Sequence, residues 1–82
     1  MPHEEIMKKI GEIFREVFDD DSLVITEQTS AKDIEDWDSL MNINLIAAME
    51  DTFGIRFALK EVSDMQCVGD AAVIIERKYA GT

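Results

Sequence analysis

Apolar residues recur at helical spacing in three separate segments, and this pattern restricts the chain to a small helical fold. In the first segment they are separated by four, three, one and three positions: Ile6, Ile10, Ile13, Phe14 and Val17. These intervals place side chains on one face of an α-helix. Charged residues occupy most of the remaining positions, so the segment is amphipathic. The spacing predicts a first helix over about residues 3–18.

A second helix is predicted to begin near Ser39, because Asp38 and Ser39 both belong to the residue types favoured at a helix N-cap. Its apolar positions again follow the helical period: Leu40, Ile43, Leu45, Ile46, Met49 and Phe53. Gly54 ends the pattern, as a glycine commonly does just after a last helical turn.

The remainder of the chain predicts a short helical turn over residues 59–64 and a last helix starting near Val68. The stripe of the last helix expected to face the core consists of Val68, Ala71, Ala72, Ile75 and Tyr79. Val73 and Ile74 fall outside this stripe and are left unplaced, and Gly81 closes the chain.

A long connection joins the first two helices. Asp19 to Ser22 break the periodicity, and the following residues include isolated apolar side chains that we expect to tuck under the bundle: Leu23, Ile25, Ile34 and Trp37. With 82 residues the chain has room for one domain with a modest core and no deep catalytic cleft. The predicted fold is therefore all-α, a small three- to four-helix bundle with a long loop between helices 1 and 2, in a single domain over residues 1–82.

The charge balance restricts the partners. The chain has 18 acidic and 8 basic residues and a net charge of -10. Nucleic acid and anionic membrane surfaces would repel it, whereas basic protein partners would be attracted. No apolar run approaches the length of a membrane span, and the start of the chain has no apolar signal core, so we expect a cytosolic protein that does not insert into membranes.

The chain has one cysteine, Cys67, and one histidine, His3, which excludes an internal disulfide and leaves a zinc site short of ligands. No metal site is predicted. Cys67 lies beside an apolar helix start with no basic residue near it in sequence, so we interpret it as a small buried hydrophobe and not as a reactive thiol.

The start of the second helix is the candidate functional position. Ser39 could simply cap the helix, which is what serine most often does there. The same position suits a phosphate group, because a helix N-terminus presents free N–H groups and the positive end of the dipole. The helix that follows offers small or flexible apolar side chains, Met41, Ala47 and Ala48, next to the acidic Glu50 and Asp51. Such a surface suits a basic, partly apolar partner.

These residues resemble a known family. The run W-D-S-L-M-N-I-N-L-I-A-A-M-E-D-T-F-G-I-R-F, residues 37–57, is similar to the phosphopantetheine-attachment region of acyl carrier proteins. The positions that fit are Asp38, Ser39, Leu40, Ile43, Leu45, Ile46, Met49, Glu50, Phe53 and Ile55. The first helix, the long loop and the carboxy-terminal V-G-D-A-A helix also fit, so the resemblance spans nearly the whole chain.

The resemblance implies that Ser39 carries a covalent 4′-phosphopantetheine arm, transferred from coenzyme A by a separate Mg²⁺-dependent transferase. Asp38 and Leu40 would be recognised by that transferase, and the chain itself would have no catalytic residues. Acyl-processing enzymes with basic docking patches would contact one face of the second helix, formed by Met41, Ile43, Asn44, Ala47, Glu50 and Asp51. Four residues would line either the core or a cavity for the acyl chain: Leu45, Ile46, Met49 and Phe53. The chain is expected to be a monomer.

Some positions depart from the pattern of the fatty-acid members of the family. Trp37 stands where those members often have glycine or alanine, and Asn44 where they usually have an acidic residue. Met41 and Asn42 are less typical as well. W-D-S-L is closer to carrier proteins of specialised pathways, including polyketide and peptide synthesis, although a role in fatty-acid synthesis stays open.

Three other functions are compatible with parts of the sequence. A hydrolase with Ser39 as nucleophile needs a base, and His3 at a frayed terminus is a poor candidate. A calcium-binding helix–loop–helix starting at Asp19 or Asp33 lacks the required glycine and glutamate. The third alternative is an unmodified acidic helical adaptor that binds a basic protein, which the pattern alone leaves open.

Overall fold

The computed structural model describes residues 2–80, apart from the side chains of Tyr79 and Ala80. It contains four helices in this order: α1 His3–Val17, α2 Ser39–Phe53, α3 Leu59–Asp64 and α4 Val68–Ala80. Residues 2–80 contain no strand. The predicted all-α bundle with a long loop between the first two helices is confirmed. The predicted role of Tyr79 in the core stripe, and the place of Gly81, lie outside the described residues.

Helix α1 is the centre of the bundle, because it packs against both α2 and α4. Its side chains Ile6 and Ile10 are completely buried, and Ile13 and Phe14 are nearly so. Opposite them lie the buried residues of the other two long helices: Leu45, Met49, Phe53, Val68, Ala71, Ala72, Ile74 and Ile75. The core is thus formed where the buried faces of α2 and α4 meet α1.

The two residues of α4 that the spacing did not assign to either face differ in burial. Ile74 is buried beside Ile75, whereas Val73 is 47% exposed on the outer side of α4. The buried stripe of α4 is therefore wider than the predicted one.

The long loop is held to the bundle by side chains and by backbone hydrogen bonds. The four apolar side chains predicted to tuck under the bundle are partly buried against the core: Leu23, Ile25, Ile34 and Trp37. At the start of α4, the Val68 N–H donates to the Thr29 carbonyl at 2.8 Å and the Gly69 N–H to the Glu27 carbonyl at 2.9 Å. The loop thereby satisfies two N–H groups that a helix N-terminus otherwise leaves without partners.

Gly69 allows this close approach. A Cβ atom at position 69 would lie 2.9 Å from the Glu27 carbonyl oxygen and 3.2 Å from the Glu27 Cβ. The first distance is shorter than the contacts that Cβ atoms make, and the second is tight, so a side chain at position 69 would displace the loop at Glu27.

His3 joins the same region from the start of α1. Its Nε2 lies 2.7 Å from a carboxylate oxygen of Glu27 in the loop, and its Nδ1 lies 3.0 Å from one of Glu76 in α4. The expectation that His3 is frayed is therefore wrong, because two carboxylates from distant parts of the chain hold its ring. The hydrogen bond to Glu76, followed by that to Glu27, raises the pKa of His3 above its ordinary value.

Gly69→Ala is expected to destabilise the protein by about 1–3 kcal/mol, because the added methyl group overpacks against the loop backbone. Urea denaturation measures the change in the free energy of unfolding. Gly11→Ala is the matched control: the nearest atoms to its Cβ would be the flexible Arg15 guanidinium at 3.4 Å and Ile25 at 3.7 Å. In mid-helix that control should gain stability, by up to about 1 kcal/mol. Equal stability of Gly69→Ala and the wild type would contradict the role of Gly69.

Protonation of His3 is expected to stabilise the fold. A neutral imidazole donates one hydrogen bond, whereas the protonated ring donates to both Glu27 and Glu76. Because the folded-state pKa is raised, the stabilisation is complete below the unfolded pKa and is lost as the pH rises through the folded pKa.

The measurement is the urea midpoint of the wild type and of His3→Gln at about pH 6 and about pH 8.5, on either side of the ordinary histidine pKa. The advantage of the wild type should shrink at the higher pH. A constant difference between the two proteins would show that the two hydrogen bonds do not depend on the charge of His3.

Candidate functional site

Helix α2 begins at Ser39 because Asp38 caps it. One carboxylate oxygen of Asp38 accepts a hydrogen bond from the Met41 N–H at 2.9 Å, and the Asp38 carbonyl accepts from the Asn42 N–H at 2.9 Å. Both Asp38 and Ser39 are favoured cap residues, and the sequence alone did not choose between them. The structure assigns the cap to Asp38.

The Ser39 hydroxyl is consequently free. Ser39 is exposed in the first turn of α2, and within residues 2–80 its hydroxyl has no hydrogen-bond partner. The alternative that Ser39 is only a helix cap therefore does not describe this structure. An oxygen in this position lies at the positive end of the α2 dipole, where a phosphate group would be stabilised.

The outer surface of α2 carries most of the residues predicted to meet partner enzymes. Leu40 and Ile43 are 66% and 65% exposed, although their spacing placed them in the apolar pattern of the helix. We call the set of residues predicted to contact acyl-processing enzymes the docking face. Four of its residues are exposed: Ile43, Asn44, Ala47 and Asp51. The other two, Met41 and Glu50, are half-buried.

Glu50 has a contact that the pattern did not indicate. Its carboxylate accepts a hydrogen bond from the Phe57 N–H at 2.8 Å and so holds the link that follows α2. Of the two acidic residues of the docking face, Asp51 alone is exposed.

A cavity of about 400 Å³ opens beside Ser39, within the usual size range of small-molecule sites. Helices α2 and α4 face each other across it and contribute Leu45, Ile46 and Met49 on one side and Val68 and Ala71 on the other. Met65 and Cys67 close it from the α3–α4 link.

Three of the four residues predicted to line the core or a cavity therefore line this cavity, and two of them, Leu45 and Met49, also belong to the core. Phe53 is buried in the core and does not reach the cavity. Cys67 is half-buried at the cavity wall, so its surroundings are more open than the predicted buried position.

Trp37 connects the start of α2 to the core. Its ring packs edge-on against Phe14, with ring centroids 5.2 Å apart and an interplanar angle of 82°. Its indole Nε1–H donates to the Asn42 side-chain oxygen at 3.2 Å. The sequence predicts that Trp37 holds the loop against the bundle. It does not predict the hydrogen bond to Asn42, because that bond depends on how the loop enters α2.

The described part of the chain contains no group of three or more histidine, cysteine or acidic side chains arranged to hold a metal ion. Both ring nitrogens of His3 contact carboxylates of Glu27 and Glu76, and no hydrogen bond joins this ring to Ser39 among residues 2–80. Among the described residues, no helix is both long and apolar enough to span a bilayer.

Comparisons with known proteins identify the family. An acyl carrier protein of Lactobacillus acidophilus is 34% identical over 76 residues, covering 93% of this chain and 95% of the relative. One from Caulobacter vibrioides is 34% identical over 76 residues, covering 93% and 97%. A solution NMR structure of holo acyl carrier protein from Geobacter metallireducens has a TM-score of 0.86 and 47% sequence identity, covering 92% of this chain and 86% of that one. No protein-family model matches the chain.

The chain belongs to the acyl carrier protein family, and its role is that of an acyl carrier. This confirms the resemblance seen in the run from Trp37 to Phe57. The members of this family are carriers, and their prosthetic group is phosphopantetheine.

Exchanging each of the two candidate cap residues for alanine tests the assignment of the cap. Asp38→Ala should lower the free energy of unfolding by about 1 kcal/mol, because the Met41 N–H loses its acceptor. Ser39→Ala should change it by less than about 0.5 kcal/mol, as expected for an exposed side chain without contacts. Urea denaturation of the apo protein measures both changes. A larger loss for Ser39→Ala would mean that the Ser39 hydroxyl, and not the Asp38 carboxylate, caps the helix.

Proposed function

We propose that this chain carries acyl groups as thioesters on a 4′-phosphopantetheine arm joined to the Ser39 hydroxyl through a phosphodiester. The observation that carries the proposal is the free, exposed hydroxyl of Ser39 in the first turn of α2. The neighbouring Asp38, and not Ser39, caps the helix. The arm supplies the thiol that holds the acyl group, and the chain supplies the attachment point and the surroundings of that point.

The residues at the start of α2 fit such a group. A phosphodiester on Ser39 would lie near the N–H groups of the first helical turn, in the favourable field of the helix dipole. Ser39 also lines the cavity between α2 and α4, so an arm attached there starts at the edge of the cavity. An acyl chain could enter an apolar space without leaving its carrier, and its burial is favourable in proportion to the apolar area removed from water.

The partners follow from the surface of α2. A phosphopantetheinyl transferase, which transfers the arm from coenzyme A, would recognise Asp38 and the exposed Leu40 on either side of Ser39. Acyl-loading and acyl-processing enzymes would bind the docking face, where Ile43 and Ala47 offer apolar contact and Asp51 offers charge. With a net charge of -10, the chain would approach basic patches faster than neutral ones. The carrier would act as a single domain, as a monomer and in the cytosol.

The departures from the fatty-acid pattern support a specialised pathway. Trp37 and Asn42 bond to each other beside the attachment site, so two of the atypical residues form one local feature. The unmodified adaptor is the second candidate, and it differs from the carrier in one respect that can be measured: an adaptor gains no mass from a transferase.

Incubation with a broad-specificity phosphopantetheinyl transferase, coenzyme A and Mg²⁺ is expected to add the mass of one arm, measured by intact-protein mass spectrometry. Ser39→Ala should gain nothing. Ser22→Ala is the matched control, because Ser22 is also exposed but its hydroxyl donates to Asp20 at 2.6 Å, and this variant should be loaded like the wild type. A mass gain in Ser39→Ala, or none in the wild type, would contradict the proposal.

A further inference from the structure

One end of the cavity is polar, although most of its lining is apolar. Asp38, Ser39 and Asn42 line it at the start of α2, and the Trp37 indole lies against Asn42. We call these four residues the rim. From Ser39 to Met49 the α2 wall extends for ten residues, a rise of about 15 Å, so the rim occupies one end of a longer apolar wall.

The orientation of the Asn42 amide is determined by its neighbour. An indole N–H can only donate, so the Asn42 atom that faces it at 3.2 Å must be the oxygen. The amide nitrogen, with two protons to donate, is then the other terminal atom of the side chain. Within the described part of the chain this NH₂ group has no hydrogen-bond partner.

We propose that Asn42 is a specificity-determining residue of the cavity, and that it favours acyl groups with a hydroxyl or carbonyl oxygen close to the thioester over saturated chains of the same length. This inference rests on the proposed attachment of the arm at Ser39. An arm that starts at the rim and returns its acyl group to the cavity brings the head of the acyl chain past Asn42, whereas the tail lies between Leu45, Met49 and Val68.

The physical reason is the cost of a buried donor without an acceptor. A saturated chain that fills this end of the cavity removes water from the Asn42 NH₂ group and supplies no hydrogen-bond acceptor. An oxygenated chain replaces the water with an acceptor. Sites built around a hydrogen-bonding group discriminate more strongly against a ligand that lacks the matching oxygen than apolar sites discriminate by size. Trp37 contributes by keeping the amide from rotating, and its own position is held by Phe14.

The test compares octanoyl and β-hydroxyoctanoyl groups on the holo protein. The rate at which hydroxylamine cleaves each thioester reports how well the chain is shielded, and the rate for the same acyl group on coenzyme A corrects for intrinsic reactivity. The wild type is expected to shield the β-hydroxy group about five-fold more than the octanoyl group, the ratio that corresponds to one net hydrogen bond.

Asn42→Asp is the decisive variant, because an aspartate of the same shape still accepts from the Trp37 indole but cannot donate. It should remove the preference. Thr52→Asp introduces the same charge on the same helix, at an exposed position that belongs neither to the docking face nor to the lining of this cavity, and should keep the preference. Trp37→Phe keeps the aromatic packing on Phe14 but frees the amide to rotate, and should weaken the preference.

Equal shielding of the two acyl groups by the wild type would overturn the inference, as would equal effects of Asn42→Asp and Thr52→Asp. Far-UV circular dichroism of each variant checks that the helices are intact, and the Trp37→Phe result replaces that of Asn42→Asp should that variant unfold.

The mass of the loaded protein separates the two proposals. A failure to gain the arm overturns the carrier function and the cargo preference together, whereas a loaded protein without preference overturns the cargo preference alone.

Discussion

The hydrogen bond from the Met41 N–H to the Asp38 carboxylate is the interaction on which the site depends. It begins α2 at Ser39 and satisfies the helix N-terminus with a side chain other than that of the serine. The hydroxyl therefore stays exposed and available in a field that favours a phosphate. The same helix start places Asn42 beside Trp37, because the chain leaves the loop at Trp37 and completes its first turn at Asn42. The proposed attachment point and the cavity rim thus have a common origin.

The cavity follows from the arrangement of the three long helices. Helix α1 packs against both α2 and α4, and these two face each other across the cavity. The long loop keeps α4 in place by bonding its first N–H groups through the carbonyls of Glu27 and Thr29, which requires the missing side chain of Gly69. His3 bonds to one carboxylate of the loop and one of α4 and so connects the two. The contacts that hold the start of α4 therefore also hold Val68, which lines the cavity.

Much of this was predictable from local patterns, and the exceptions have physical causes. Helix limits at Ser39 and Gly54 follow from cap chemistry and a left-handed residue, which act within a few residues of the chain. Ile74 could not be placed, because the width of a buried stripe depends on how many neighbours a helix has. The contacts of Glu50 with Phe57 and of His3 with Glu76 join positions whose proximity arises only after folding. Leu40 and Ile43 share the apolar spacing of α2 but face outward, since helical spacing does not state where the partner helix lies.

By itself, the sequence determined the class of fold, the four helices, the family resemblance and the serine at the start of α2, because periodicity, capping and motif are properties of neighbouring residues. The tertiary structure decided which of Asp38 and Ser39 is the cap, which apolar residues line a cavity and which way the Asn42 amide turns. Those outcomes depend on the distances between segments far apart in the chain, and such distances are set by the packing of whole helices.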